Sequence, residues 1–156
     1  MSAATPKPTS ARRILVVCLG NICRSPMGEG VLRKMAAEAA LDLEIDSAGT
    51  GAYHLDDPPQ EKGLAVAAAR GYDNSAQRAR QVAPEDFTGF DLILGMDSAN
   101  LANLRRMAPA GATARIEPFD PAADVPDPWG HPRAVYEATL DQIEAAGRGW
   151  IKRLGG

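Results

Sequence analysis

Ile14, Leu15, Val16 and Val17 form an unbroken apolar run, rich in β-branched residues, that ends at Cys18. This is the pattern of a strand covered on both faces of a parallel sheet. Beyond Leu19 and Gly20 the apolar positions change period, and Val31, Leu32, Met35, Ala36 and Ala39 fall on one helical stripe. Ser25-Pro26 offers that helix a cap with proline at the first helical position. The segment 18–25 therefore joins a buried strand to a helix. In a wound α/β sheet such a junction is where ligands sit, because unpaired helix amides and the positive end of the helix dipole face outward there.

The rest of the chain continues the alternation. Further strands are expected at 43–45, 90–94 and 114–119, and Ser47-Ala48-Gly49-Thr50-Gly51 reads as a turn. Helices are expected over 64–69, after an Asp97-Ser98 cap with Leu101, Leu104 and Met107 on one face, and over 134–154 with Tyr136, Leu140, Ile143 and Ile151 in phase. Five prolines between 118 and 132 make that stretch a long loop. The class is α/β, wound from βαβ units.

Cys18, five intervening residues and Arg24 make a loop short enough to curl around one tetrahedral anion. Successive N–H groups at Leu19, Gly20, Asn21, Ile22, Cys23, Arg24 and Ser25 can cradle the oxygens, and a guanidinium can grip two of them. The helix dipole favours a thiolate at Cys18, the nucleophilic form of cysteine. Ser25 can donate to the sulfur, Gly20 allows a tight turn, and Asn21 tolerates a left-handed backbone. Cleaving a phosphoester by this route also needs a carboxylic acid to protonate the departing oxygen. The long loop offers Asp120, Asp124 and Asp127, two of them in Asp-Pro pairs that also open turns, and the residues alone leave the three open.

Composition narrows the setting. At 156 residues with 45% hydrophobic content, one domain with one real core is expected. Residues 1–11 read as a flexible tail and 12–156 as the domain. Two cysteines, Cys18 and Cys23, make no secreted disulfide framework and point to a reducing, cytoplasmic setting. Three of the 17 basic residues lie within the first 13 positions, leaving 14 against 20 acidic residues, about six net negative charges. That balance is poor for holding nucleic acid. The start lacks the apolar stretch of a signal peptide or a membrane span, so no membrane insertion is expected. His54 and His131 are isolated, each most simply a surface or loop residue, and no metal or other cofactor is expected. Self-association is left undetermined.

The stretch Val17-Cys18-Leu19-Gly20-Asn21-Ile22-Cys23-Arg24-Ser25-Pro26-Met27 closely resembles the phosphate-binding loop of the low-molecular-weight protein tyrosine phosphatases. The resemblance continues through Ser47-Ala48-Gly49-Thr50, Arg78-Ala79-Arg80-Gln81, Phe90-Asp91-Leu92-Ile93-Leu94, Met96-Asp97 with Asn100, and Asp127-Pro128, in the family's order. It implies a four-stranded parallel sheet flanked by helices on both faces, in a single domain. It further implies a metal-independent hydrolase of phosphotyrosine-containing proteins and small aryl phosphates that works through a phosphocysteine on Cys18. Arg24 is then the phosphate clamp and Asp127 the general acid. Asn21, Ser25 and Ser47 brace the loop, and Tyr53 and Trp129 wall the pocket. Gln77 stands where many relatives have histidine, Gly130 where many have a second tyrosine, and Pro58-Pro59-Gln60-Glu61-Lys62 departs from the usual acidic-basic pattern.

Cys23 reads equally as a small space-filling thiol or as a reversible disulfide partner for Cys18. Among rival activities, a phosphoarginine phosphatase shares the loop, but relatives of that type resemble it with threonine in place of Ile22. An arsenate reductase of the thioredoxin-linked form needs cysteines beyond the two present. A non-catalytic phosphate-binding module would be expected to lack Cys18 or Asp127.

Overall fold

A computed structural model describes residues 10–155. Most of the expected tail, residues 1–11, lies outside the described residues; Ala11 packs against the core. Four strands, β1 (Arg13–Cys18), β2 (Glu44–Gly49), β3 (Leu92–Gly95) and β4 (Arg115–Pro118), form one parallel sheet in the order β2-β1-β3-β4. The connecting helices are α1 (Arg24–Glu38), α2 (Glu61–Ala69), a four-residue α3 (Asp86–Gly89), α4 (Ser98–Met107) and α5 (Arg133–Leu154).

The period-2 alternation of the central strand explains how both faces are covered. Ile14, Val16 and Cys18, with Leu92 and Leu94, meet α1, α2 and α5 through Val31, Leu32, Val66, Tyr136, Leu140 and Ile143. Leu15, Val17 and Ile93 face the other way, onto Phe87 and Leu104. The expected α/β sheet flanked on both faces is present, in a single domain. The winding of the sheet changes side about β1: β2 lies to one side of it and β3 to the other. The carboxyl end of β1 is thus the switch point at which such sheets open a crevice.

Two local expectations are corrected. Ser47, Ala48 and Gly49 form no turn but the end of β2, in register with Val16, Val17 and Cys18. Ladder pairing beside a buried central strand overrides their turn propensity. Helix α1 begins at Arg24, one residue before the expected Ser25 cap; its N-cap is Cys23, with no side-chain cap bond. The Ser25 hydroxyl is directed elsewhere, as described below. The Asp97 cap is present and forms a capping box with Asn100.

Helix α1 lies close on the sheet at Gly28, where an added Cβ would fall 2.7 Å from the Met96 terminal methyl and 2.9 Å from Val16 Cγ1. The methionine tip can move, but the β-branched valine cannot. Gly28→Ala is therefore expected to destabilise the protein by about 1–3 kcal/mol through overpacking. A lower urea midpoint at unchanged slope would show it; an unchanged midpoint would mean that α1 lifts off the sheet freely.

Candidate active site

The segment 18–24 leaves the end of β1 and turns at Asn21, whose φ of 58° is left-handed. Asparagine supplies the strained backbone, as expected, whereas Gly20 supplies close approach: a Cβ there would meet the His54 ring at 3.1 Å. Carbonyls of Cys18, Leu19 and Ile22 accept from the N–H groups of Thr50, Gly51 and Gln60 at 2.8–2.9 Å. Because peptide planes are trans, the N–H groups of Leu19, Gly20 and Cys23 point away from those partners.

Behind the loop lies a chain of polar contacts with a fixed direction. The Arg80 backbone N–H can only donate, and it donates to Asn21 Oδ1 at 3.0 Å, which orients the amide. Asn21 Nδ2 then donates to Ser25 Oγ at 2.8 Å and Ser47 Oγ at 3.0 Å. Ser47 gives its own proton to Glu29 Oε1 at 2.6 Å. Ser25, already an acceptor, has its proton free for Cys18 Sγ, 3.1 Å away. Burial pushes the Glu29 carboxyl above its ordinary range, against the Ser47 bond and the Arg33 guanidinium 2.8 Å away. The Gln77 amide donates to the Pro26 carbonyl at 3.1 Å, so the loop's rear retains a brace there without a histidine.

Arg24 is 3% exposed. Its Nη1 donates to Asp97 Oδ2 at 2.6 Å and to the Val125 carbonyl at 2.9 Å, while Nη2 lies 3.8 Å from Asp127 Oδ2. Burial works against its charge, yet the Asp97 bond and the attraction of Cys18, Asp97 and Asp127 carry its pKa above the ordinary value. Arg24 Nε is buried and has no hydrogen-bond partner among the described residues. Asp127 is half-exposed, and its Oδ1 accepts from the Trp129 N–H at 3.1 Å.

Cys18, Leu19, Gly20, Ile22, Cys23, Arg24, Tyr53, Asp127 and Trp129 line one cavity of about 420 Å³. Asn21, Ser25 and Ser47 stand behind it, all buried. Of the three aspartates left open by the sequence, Asp127 alone lines the cavity; Asp120 accepts from Gln142, and Asp124 from Ser98. Among the described residues no group of three or more His, Cys, Asp or Glu side chains could hold a metal ion.

The sequence matches the family described as low molecular weight phosphotyrosine protein phosphatase over residues 13–156. The chain belongs to that family. It is 40% identical over 124 residues to the low molecular weight protein-tyrosine-phosphatase YfkJ of Bacillus subtilis, covering 74% of this chain and 80% of that one. It superposes with a TM-score of 0.87 and 32% identity on a protein tyrosine phosphatase from Entamoeba histolytica with Hepes in its active site, over 92% of this chain and 96% of that one. Vibrio vulnificus Wzb in complex with benzylphosphonate aligns at a TM-score of 0.84 and 30% identity, over 92% and 99%.

Three residues in or behind this site carry roles there that the sequence does not signal. Asp97 was legible as a helix cap, but capping uses only one of its oxygens and the other holds Arg24. Glu29 carries no local signal, because its contact with Ser47 is made across elements. His54 lines the cavity beside Tyr53 rather than standing alone on the surface.

Both cysteines are free thiols. Cys23 Sγ sits 3.8 Å from the Tyr136 hydroxyl. Burial pushes its pKa up to about 12, with the Tyr136 contact lowering it and the charges of Asp127 and Cys18 raising it further. A raised pKa keeps an acid neutral, so Cys23 should remain an unreactive thiol from pH 6 to 9. Iodoacetamide treatment of the native protein followed by peptide mass spectrometry should leave Cys23 unmodified until the chain is unfolded. Native-state labelling of Cys23 at neutral pH would contradict this protection.

Proposed function

We propose that this chain hydrolyses phosphotyrosine in proteins, and small aryl phosphates, through a phosphocysteine on Cys18. The observation that carries the reading is the convergence of Cys18, Arg24 and Asp127 on one cavity walled by Tyr53 and Trp129. Benzylphosphonate, bound by Vibrio vulnificus Wzb, pairs an aromatic ring with a phosphorus oxyanion as an aryl phosphate does.

In the first step the Cys18 thiolate attacks phosphorus. The bond from phosphorus to the tyrosine oxygen breaks, and that oxygen takes a proton from Asp127. Arg24, bridged to Asp97, grips the equatorial oxygens together with N–H groups of residues 19–25, where negative charge is held in the transition state. In the second step Asp127, now a carboxylate, takes a proton from water as the water oxygen bonds to phosphorus. The sulfur–phosphorus bond breaks, inorganic phosphate leaves, and the Ser25 hydroxyl stabilises the returning thiolate. Asn21 and Ser47 hold Ser25 in the orientation that this donation needs. The phenol of tyrosine, with a pKa of about 10, leaves more readily than an alcohol. The aromatic walls stack on its ring.

Two free cysteines fit a reducing compartment, and we place the protein in the cytoplasm on that basis. No helix among the described residues is long and apolar enough to cross a membrane.

Phosphate release from a phosphotyrosine peptide and from p-nitrophenyl phosphate, measured in excess chelator, tests the mechanism. Activity should survive chelation and be abolished by Cys18→Ser. Asp127→Ala should lower kcat by about 10²–10⁴-fold, the usual worth of a general acid. Full activity in Cys18→Ser would exclude the phosphocysteine route.

A further inference from the structure

The four large hydrophobic side chains that stand exposed in the described residues are Leu19, Tyr53, Leu55 and Trp129, at 43, 73, 54 and 59%. Three of them line the cavity; Leu55 does not, yet it lies two residues from Tyr53 on the same loop. Leu55 directly follows His54, which also lines the cavity, so an exposed apolar side chain stands next in the chain to the pocket wall, where exposed apolar groups mark a contact surface. Immediately beyond Leu55 come two exposed carboxylates, Asp56 and Asp57.

This loop is fixed in place. Asp56 holds a left-handed φ of 65°. Its N–H donates to the Ala79 carbonyl at 2.8 Å, and the Ala79 N–H donates back to the Asp57 carbonyl at 2.9 Å. Asp57 Oδ2 lies 3.4 Å from His54 Nδ1, so a protonated His54 offsets one negative charge and leaves the other. An apolar step followed by net negative charge, held rigid beside the pocket, complements a lysine or arginine: the aliphatic stem covers Leu55 and the cationic head reaches the carboxylates.

We propose that Leu55, Asp56 and Asp57 form a second substrate subsite, which takes a basic side chain within two residues of the phosphotyrosine, given the phosphotyrosine reading above. The subsite selects among peptides and takes no part in the chemical steps. Acidic neighbours are repelled by the same carboxylates.

The test compares kcat/KM for phosphotyrosine peptides carrying arginine, leucine or glutamate at flanking positions on either side, at 50 and 500 mM NaCl. The arginine peptide should exceed the glutamate peptide by about three- to fivefold, the scale of an exposed ion pair, with high salt narrowing the gap. Asp57→Asn and Asp56→Asn, the latter retaining a residue suited to the left-handed backbone, should narrow it likewise. Leu55→Ser should lower turnover of the arginine and leucine peptides. None of the three variants should shift turnover of p-nitrophenyl phosphate by more than about twofold, which also reports intact folding. Equal kcat/KM for the three peptides, or a gap that survives both aspartate substitutions, would overturn the subsite alone. If a second copy of the chain covered this ledge instead, peptide kcat/KM would fall with enzyme concentration and the ranking would be absent. Loss of all turnover in the parent, aryl phosphate included, would remove the phosphatase reading and the subsite with it.

Discussion

The 2.6 Å ion pair between Arg24 and Asp97 couples the two strands that frame the pocket. Arg24 opens α1 just after the loop from β1; Asp97 stands after β3 and caps α4. A guanidinium taken almost wholly out of water loses hydration that only a close, well-aligned counter-charge can replace. Asp97 supplies that charge and is itself anchored: its Oδ1 accepts the Asn100 N–H, and Asn100 Oδ1 accepts the Asp97 N–H. The cation is therefore positioned by the capping geometry of a neighbouring helix. Its Nε, without a partner among the described residues, leaves the buried guanidinium one further donor.

The polar chain from Glu29 to Cys18 works by a similar logic of direction. A backbone N–H at one end and a buried carboxyl at the other leave one consistent arrangement of donors through Asn21, Ser47 and Ser25. A fully connected network of this kind rigidifies its members, because each buried group that lost its partner would face the cost of desolvation unrelieved. The left-handed turn at Asn21 is held by the same contacts that orient its amide, so backbone strain and side-chain bonding are satisfied together.

The loop between β4 and α5 shows how a stretch without regular structure can deliver a side chain reliably. Phe119 and Val125 are fully buried, and the Trp150 indole N–H donates to the Phe119 carbonyl at 2.7 Å. The Val125 N–H pairs with the Met96 carbonyl, and the Val125 carbonyl accepts from Arg24. Gln142 on α5 reaches Asp120 and the Asp124 carbonyl. These anchors upstream and the start of α5 at Arg133 fix both ends of the segment that carries Asp127 and Trp129.

By itself the sequence determined the sheet class, the strand-to-helix junction at 18–25, the α4 cap and the amphipathic face of α5, since each is written in local periodicity or capping chemistry. It also brought Cys18 and Arg24 together, because both lie on one short loop. Local signals misplaced the end of β2, where the ladder with Val16, Val17 and Cys18 outweighed the turn preference of Ser47-Ala48-Gly49. They misplaced the first residue of α1 as well, since Ser25 could have capped the helix but its hydroxyl lies against Cys18. Resemblance to relatives, rather than spacing, had singled out Asp127 among three aspartates of one loop; the fold alone placed it in the cavity with Arg24. Asp97, Glu29 and His54 became site residues only on folding. Their partners lie in other elements, and contacts between distant segments leave no period in the chain from which they can be read.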